Sequence, residues 1–423
     1  MSTPDPHSAL VVGAGIVGVS VALALQQRSW RVQLIDRETP GTQTSYGNAG
    51  VLTRSSLLPF NHPGLWAGLP TLLQNRSTSF RYRPAYLARN AGWALGFLAS
   101  ARPGVFEQTL QALDGLIGLS MAEHERLLAE AGALHRLRRN GWLMLYRSAP
   151  AWAAGALARA TCQRFGVQTE VLDAAALQAL EPALAPIFSR ALWVQDAWSV
   201  DSPGAVVQAY AALFVARGGQ ILRSDVAALA RQGECWCAAD RQGRRFTARH
   251  AVLALGPWSK TFLQHLGLSV PLGFERGYHM HYGPAPGAPS GPVLQRPIVD
   301  TGGGYVLSPM AQGLRLSTGV ELADLDAPPD LSQLNLAEQA ARQALSLGPR
   351  LDQQPWLGRR PTLPDSRPAI GPAPGRPGLW LAFGHQHIGL NTGPGSAQLL
   401  AAMMTGEPPP LPAAPFDPAR FVR

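Results

Sequence analysis

The chain begins with an apolar run from Leu10 to Val12 and a glycine-punctuated bend. Apolar positions at three- and four-residue spacing then run to about Gln27, and a second apolar run ends at Asp36. This order predicts strand, turn, amphipathic helix and strand, a βαβ unit. From about Ser56 to Arg147 the period becomes helical in "YLARNAGWALGFLA" and "QALDGLIGLSMAEHERLLAEA", before "GWLMLY" reads as a strand. That stretch is expected to be a separate insertion. "QILRSDVAALA", "CWCAAD" and "RFTARHAVLAL" then read as successive strands. Strands dominate again between about Leu272 and Leu322, a helix is expected around Ala337 to Leu347, and a last helix over Ser396 to Thr405, closed by Gly406. Two kinds of block thus alternate along the chain. The expected class is α/β with an α+β second domain: residues 1–55, 151–268 and 355–423 in one discontinuous domain, 56–150 and 269–354 in the other.

With 423 residues, 46% of them hydrophobic, the chain is long enough for two domains. No apolar run approaches the roughly 20 residues that cross a bilayer. Cys162, Cys235 and Cys237 form no C-x-x-C pair, which points to free thiols in a reducing, cytoplasmic compartment; Cys235 and Cys237 share one face of a strand and are expected in the core. The net charge is +9, yet Lys260 is the single lysine and the arginines are dispersed without a basic block. That distribution argues against nucleic acid and leaves anionic substrates or an anionic membrane face as partners.

In "GAGIVG", Gly13 permits a tight turn, Gly15 lets a pyrophosphate approach the backbone, and Gly18 lets helix and strand pack closely. Asp36 closes the second strand, 21 positions after Gly15, where a carboxylate accepts hydrogen bonds from a ribose hydroxyl. Together they predict a Rossmann-like dinucleotide site. His385 and His387, two apart in "FGHQHIGLNTGPG", raise the alternative of a metal pair, but no third ligand has convincing spacing and no metal is expected.

"TSYGNAGVL", "AVLALGPWS", "GRRPTLPDSRPAIGP" and "GHQHIGLNTGPG", in this order, resemble the FAD-dependent D-amino-acid oxidase superfamily, closest to its bacterial D-amino-acid dehydrogenase branch. The likeness implies a Rossmann-like FAD-binding domain and a discontinuous substrate domain built on a mainly antiparallel sheet with helices. It implies that Gly13, Gly15, Gly18, Asp36 and Arg37 hold the ADP half of noncovalent FAD, and that Thr44, Ser45, Asn48, Ala49 and Gly50 line the phosphates and flavin edge. Val226 would meet the adenine, Ala254 and Gly256 the pyrophosphate, and His385, Gly389, Leu390 and Asn391 the flavin side, where helix amides suit the charge of a reduced flavin.

For the substrate, the likeness implies Arg360 as a carboxylate clamp and Tyr305 as a residue closing the pocket; Arg276 and Tyr278 on a strand of the substrate block, Asn48, and His387, which stands where the branch has threonine, are the further candidates. On their strand, Arg276 and Tyr278 are expected to share one face and His279 the other. Met310 stands where glycine-oxidase-like members have arginine, which disfavours glycine or sarcosine. The implied reaction is hydride transfer from the α-carbon of a D-amino or cyclic imino acid, of the D-proline or cis-4-hydroxy-D-proline type, to flavin N5. A quinone or dye-type electron acceptor is favoured over oxygen. The rival readings are an oxygen-using secondary-amine oxidase, an NAD-dependent dehydrogenase and a noncatalytic FAD-containing electron-transfer subunit. The segment from Tyr86 to Ser100 is a candidate contact with a membrane or partner subunit, set against a core-facing reading.

Overall fold

The computed structural model describes residues 5–287 and 293–422. A six-stranded sheet runs in the order 220–223, 31–36, 8–12, 250–253, 379–383 and 369–372. Its first five strands are parallel and the last is antiparallel. The run from Ala9 to Val12 is buried on both faces, as parallel strands require. Ala9 and Val11 face one cluster, with the helices Ile16–Gln27 and Pro203–Ala216. Leu10 and Val12 face another, with Leu229, Trp236 and Ala238 of the antiparallel meander formed by residues 226–232, 235–240 and 245–248. Cys235 and Cys237 are buried in that meander, as expected.

The second sheet has ten strands, in the order 80–82, 320–322, 273–282, 313–318, 305–310, 298–300, 142–146, 190–194 and 169–173, with 356–362 added along 273–282. Its pairs are antiparallel except 142–146 with 298–300 and 80–82 with 320–322. One face packs on the helix Ser332–Ala344 through Ala337, Ala341 and Ala344.

Three boundaries differ from expectation. Strands Thr169–Asp173 and Arg190–Val194, expected in the cofactor half, pair with Trp142–Tyr146 in the large sheet. The helix Pro103–Glu130, expected in the substrate half, buries Ala112, Leu116, Leu127 and Leu128 in the core cluster that also holds the first and last helices. The last helix starts at Gly389 rather than Ser396. The small residues mark close packing there: a Cβ on Gly393 would sit 3.1 Å from Ile16, and one on Gly395 2.7 Å from the Leu116 carbonyl. Gly406 ends the helix in the left-handed conformation, as expected.

The segment 86–100 divides. Tyr86 and Trp93 face the core, with Trp93 Nε1 donating to the Thr362 carbonyl at 2.9 Å, whereas Leu95 is 68% exposed.

Candidate active site

A cavity of about 1040 Å³ runs from the first βα turn to the face of the large sheet. Gly13, Ala14, Gly15, Ile16, Asp36 and Arg37 form one end. Gly13 has φ +111°, and a Cβ there would strike the Ala254 carbonyl at 2.4 Å, so the turn excludes every other residue. Gly18 is outside the cavity wall. A Cβ on it would lie 1.7 Å from the Gly13 carbonyl, which is the helix-to-strand packing role. Asp36 accepts from the amides of Ala14 (2.6 Å) and Glu38 (2.9 Å). Burial raises its pKa, the two backbone donors opposing this. Arg37 lies over the Trp258 ring at 4.9 Å. Val226, Ala254 and Gly256 border the same end.

Thr44, Ser45, Asn48 and Ala49 line the middle. Ser45 Oγ accepts from the Ile16 amide (3.0 Å), and Asn48 bridges from the Gly50 amide to the His387 carbonyl (2.8 and 3.0 Å). Gly50 does not reach the wall, which corrects its expected cofactor contact. With φ +74° it turns the chain under Val200, and Met310 packs there too, outside the cavity. His385, Gly389, Leu390 and Asn391 close the side formed by the start of the last helix. His385 is buried and neutral, its pKa pushed down to about 3 by desolvation, and Nε2 meets Ser396 Oγ at 3.0 Å.

At the far end the large sheet decides which side chains face the cavity. Residues 275, 277 and 279 lie opposite 360, 358 and 356, so Glu275, Gly277 and His279 share a face with Arg360, Gly358 and Trp356. Arg360 is half-buried in the cavity wall. Its guanidinium donates to the carbonyls of Gly319 (3.1 Å) and Thr318 (3.5 Å). Trp356 stacks on His279 at 4.8 Å, so close to Gly47 that a Cβ there would overlap its ring at 1.7 Å. His387 lines the wall beside Phe60 (5.0 Å) with Nδ1 unpartnered. Burial, then the charge of Arg360, pushes its pKa down to about 3, so the imidazole is neutral.

Two expected substrate residues, Arg276 and Tyr278, do not reach this space, and a third, Tyr305, only borders it. Arg276 and Tyr278 share the opposite strand face, as their spacing predicts, and that face points away from the cavity. The Arg276 guanidinium is fully buried. It donates to Tyr278 Oη (2.9 Å) and to carbonyls of Asp324, Ala327 and Pro328, and pairs with Glu321 (3.3 Å). Tyr278 Oη donates to Glu321 (2.9 Å) and accepts from the Asp330 amide (2.8 Å). The pair thus anchors the 324–330 loop, whose Leu325 and Asp326 border the cavity. Tyr305 touches the cavity where its strand begins, but its ring is 1% exposed in the cluster with Leu307 and Leu316 on the helix side.

Other residues escaped sequence reasoning because their partners are remote in the chain. Arg315, 2% exposed, donates to the carbonyls of Tyr46 and Asn48, both at 2.7 Å, and to His281 Nε2 at 3.0 Å. His281 Nδ1 donates in turn to Asp352 (2.8 Å). This line of side chains holds the 46–48 loop from behind. His124 is buried between Tyr210 Oη (2.8 Å) and the Leu390 carbonyl (2.7 Å), and so fixes the start of the last helix. Among the described residues no cluster of three or more metal-ligating side chains occurs.

The turn that only glycine fits, the buried acid at the second strand end and the helix start facing the middle of a long cavity suit an elongated dinucleotide with a small substrate beyond it. The fold and site define a dinucleotide-dependent oxidoreductase. Residues 8–403 match the DAO family of FAD-dependent oxidoreductases, and the chain belongs to that family; its cofactor is FAD. It is 31% identical to a D-amino-acid oxidase of Bradyrhizobium diazoefficiens over 99% of this chain and 100% of the relative. It is 30% identical to D-amino acid dehydrogenase 2 of Ralstonia nicotianae over 97% and 99%. The glycine oxidase structure from Geobacillus kaustophilus superposes with a TM-score of 0.73 over 97% of both chains, at 19% identity. That last likeness concerns the fold alone.

Proposed function

We propose that the protein oxidises a D-amino acid or cyclic imino acid, of the D-proline or cis-4-hydroxy-D-proline type, at its α-carbon. The observation that carries this reading is the Arg360 guanidinium, facing the cavity with only backbone carbonyls as hydrogen-bond partners. Such a fork takes a carboxylate in two parallel hydrogen bonds and so orients the α-carbon. Bound FAD supplies the acceptor for the two electrons of the α C–H bond. His387, neutral and with Nδ1 unpartnered, is suited to accept a hydrogen bond from the substrate amine. Asn48 ties the His387 carbonyl to the cofactor loop, so both move as one wall. Phe60, Trp142, Val299 and Val306 supply apolar surface, and Ser56 and Ser317 supply hydroxyls. Asp300, at the same end, is already neutralised by Arg147 (2.7 Å). A neutral ring bearing a hydroxyl suits this lining better than a cationic side chain. The names of the two relatives above, a D-amino-acid oxidase and a D-amino acid dehydrogenase, support the substrate class.

We further assign the electrons to a quinone-type acceptor reached at an apolar surface. Phe60 lines the cavity and is 48% exposed, and the helix Leu65–Leu73 that follows buries no residue and exposes Trp66 and Leu73. The exposed Arg76 follows in sequence, which suits peripheral contact with an anionic membrane face, whereas Arg83 and Arg89 are taken up by Glu321 and Asp324. Among the described residues no helix is long and apolar enough to cross a membrane.

The test is an anaerobic absorbance titration of the FAD-loaded protein with D-proline, cis-4-hydroxy-D-proline, linear D-amino acids and their L-enantiomers. Bleaching by a cyclic D-substrate and faster turnover with a quinone than with oxygen are expected. A flavin band that none of them bleaches overturns the reading.

A further inference from the structure

Behind the proposed carboxylate clamp lies a second ionisable group. Glu275 stands directly opposite Arg360 in the antiparallel register, which puts the two side chains on one sheet face with Cβ atoms about 5 Å apart. It is 2% exposed and outside the cavity wall, and its Oε2 has no hydrogen-bond partner. A carboxylate buried in this way needs a nearby counter-charge.

The groups that face it are few. Arg360 and the Thr362 hydroxyl come from the strand Trp356–Thr362. Tyr86 comes from the helix Pro84–Arg89, its phenol oxygen accepting from the Phe274 amide at 2.8 Å. Leu322 lies opposite on the third strand of the group. The neighbouring Arg276 and Glu321 pair with each other on the far face. Among the described residues Arg360 is therefore the one cation whose charge favours the ionised form of Glu275, acting from its place over Gly277 without a direct ion pair between the two. Burial raises the Glu275 pKa, and Arg360 is the leading influence that holds it down.

We propose that Glu275 is a proton acceptor coupled to the carboxylate clamp: ionised while Arg360 is free, it takes up a proton when a carboxylate occupies the guanidinium. The inference rests on the assignment of Arg360 above. A bound anion cancels the charge that favoured the ionised acid, and a second negative charge near the same guanidinium is disfavoured. This matches the chemistry of the substrate. An amino acid arrives as carboxylate and ammonium, but oxidation needs the neutral amine. The ammonium N–H bond breaks and leaves its electron pair on nitrogen, and an O–H bond forms on Glu275. The two protons exchanged with solvent cancel, so the zwitterion binds in its reactive form with no net change in the charge of the site.

The experiment uses FAD-loaded protein and cyclopentanecarboxylate, which carries the ring and the carboxylate but no amine. Binding is followed by the perturbation of the flavin absorbance, and proton uptake by an indicator dye in weak buffer. For the wild type we expect up to one proton taken up per carboxylate bound, and a Kd that rises by up to tenfold per pH unit above the free-state pKa of Glu275. Glu275→Gln should bind with the low-pH affinity throughout and take up no proton. Binding that Arg360→Leu abolishes, with no proton uptake by the wild type, overturns this inference and leaves the clamp standing. Equal binding by Arg360→Leu overturns both.

Discussion

Arg360 can lie across its neighbouring strand only because residue 277 has no side chain. Gly277 and Gly358 face each other in register. A Cβ built on Gly277 would fall 2.3 Å from Arg360 Nη2, 2.7 Å from Cζ and 3.0 Å from Nη1. In Gly277→Ala the guanidinium must retreat by about 1 Å to reach ordinary contact, and a misplacement of that size near a reacting group costs on the order of 100-fold. Half of a bidentate contact is worth about 2–3 kcal/mol, which gives the same scale, roughly 30- to 150-fold in Kd. The strand should tolerate the change, since alanine in a strand interior gains about 0.5–1 kcal/mol over glycine. The expected outcome is a substrate KM, and a Kd for cyclopentanecarboxylate, raised some 30-fold or more, with FAD affinity and Tm near wild type. Anaerobic stopped-flow reduction, resolved into Kd and limiting rate, measures it. A substrate Kd within twofold of wild type would refute the claim that Arg360, in the position seen here, is the clamp.

Arg360→Lys keeps the charge but not the fork, and should raise KM at least tenfold in steady-state assays. Arg315→Met leaves the carbonyls of Tyr46 and Asn48 without their buried donor, at about 1–3 kcal/mol each; FAD affinity should fall by tens- to hundreds-fold on fluorescence titration, with partial recovery in Arg315→Lys. Acid should destabilise the fold. His124 and His385 are held neutral, with pKa values pushed down to about 4 and about 3 by burial, so the unfolded chain binds protons that the folded chain refuses. Stability is then lost as pH falls from 6.5 towards 4, by on the order of 2–3 kcal/mol per pH unit for the two together. Thermal melts across that range check it, and a His124→Gln melt should depend less on pH.

The dinucleotide end was legible because its signal is local. Gly13, Gly15, Gly18 and Asp36 lie within one βαβ unit, and their roles follow from turn and strand geometry over 24 residues. Arg360 and the last segment were legible through the resemblance of their motifs, though the helix began seven residues earlier than expected because its glycines serve packing. The substrate end was only partly legible. Alternation along "FERGYHM" separates Glu275, Gly277 and His279 from Arg276 and Tyr278, but the period does not say which set faces the cofactor. Pairing with Trp356–Thr362, some 80 residues away, decides that, and it turned Arg276 into the anchor of a loop and made Glu275 the neighbour of Arg360. The same holds for Arg315 and for His124, which holds Leu390 across 266 positions. Periodicity along the chain fixes the class of each element and its two faces; only tertiary pairing selects the face that meets the site, because burial is a property of the partner as much as of the strand.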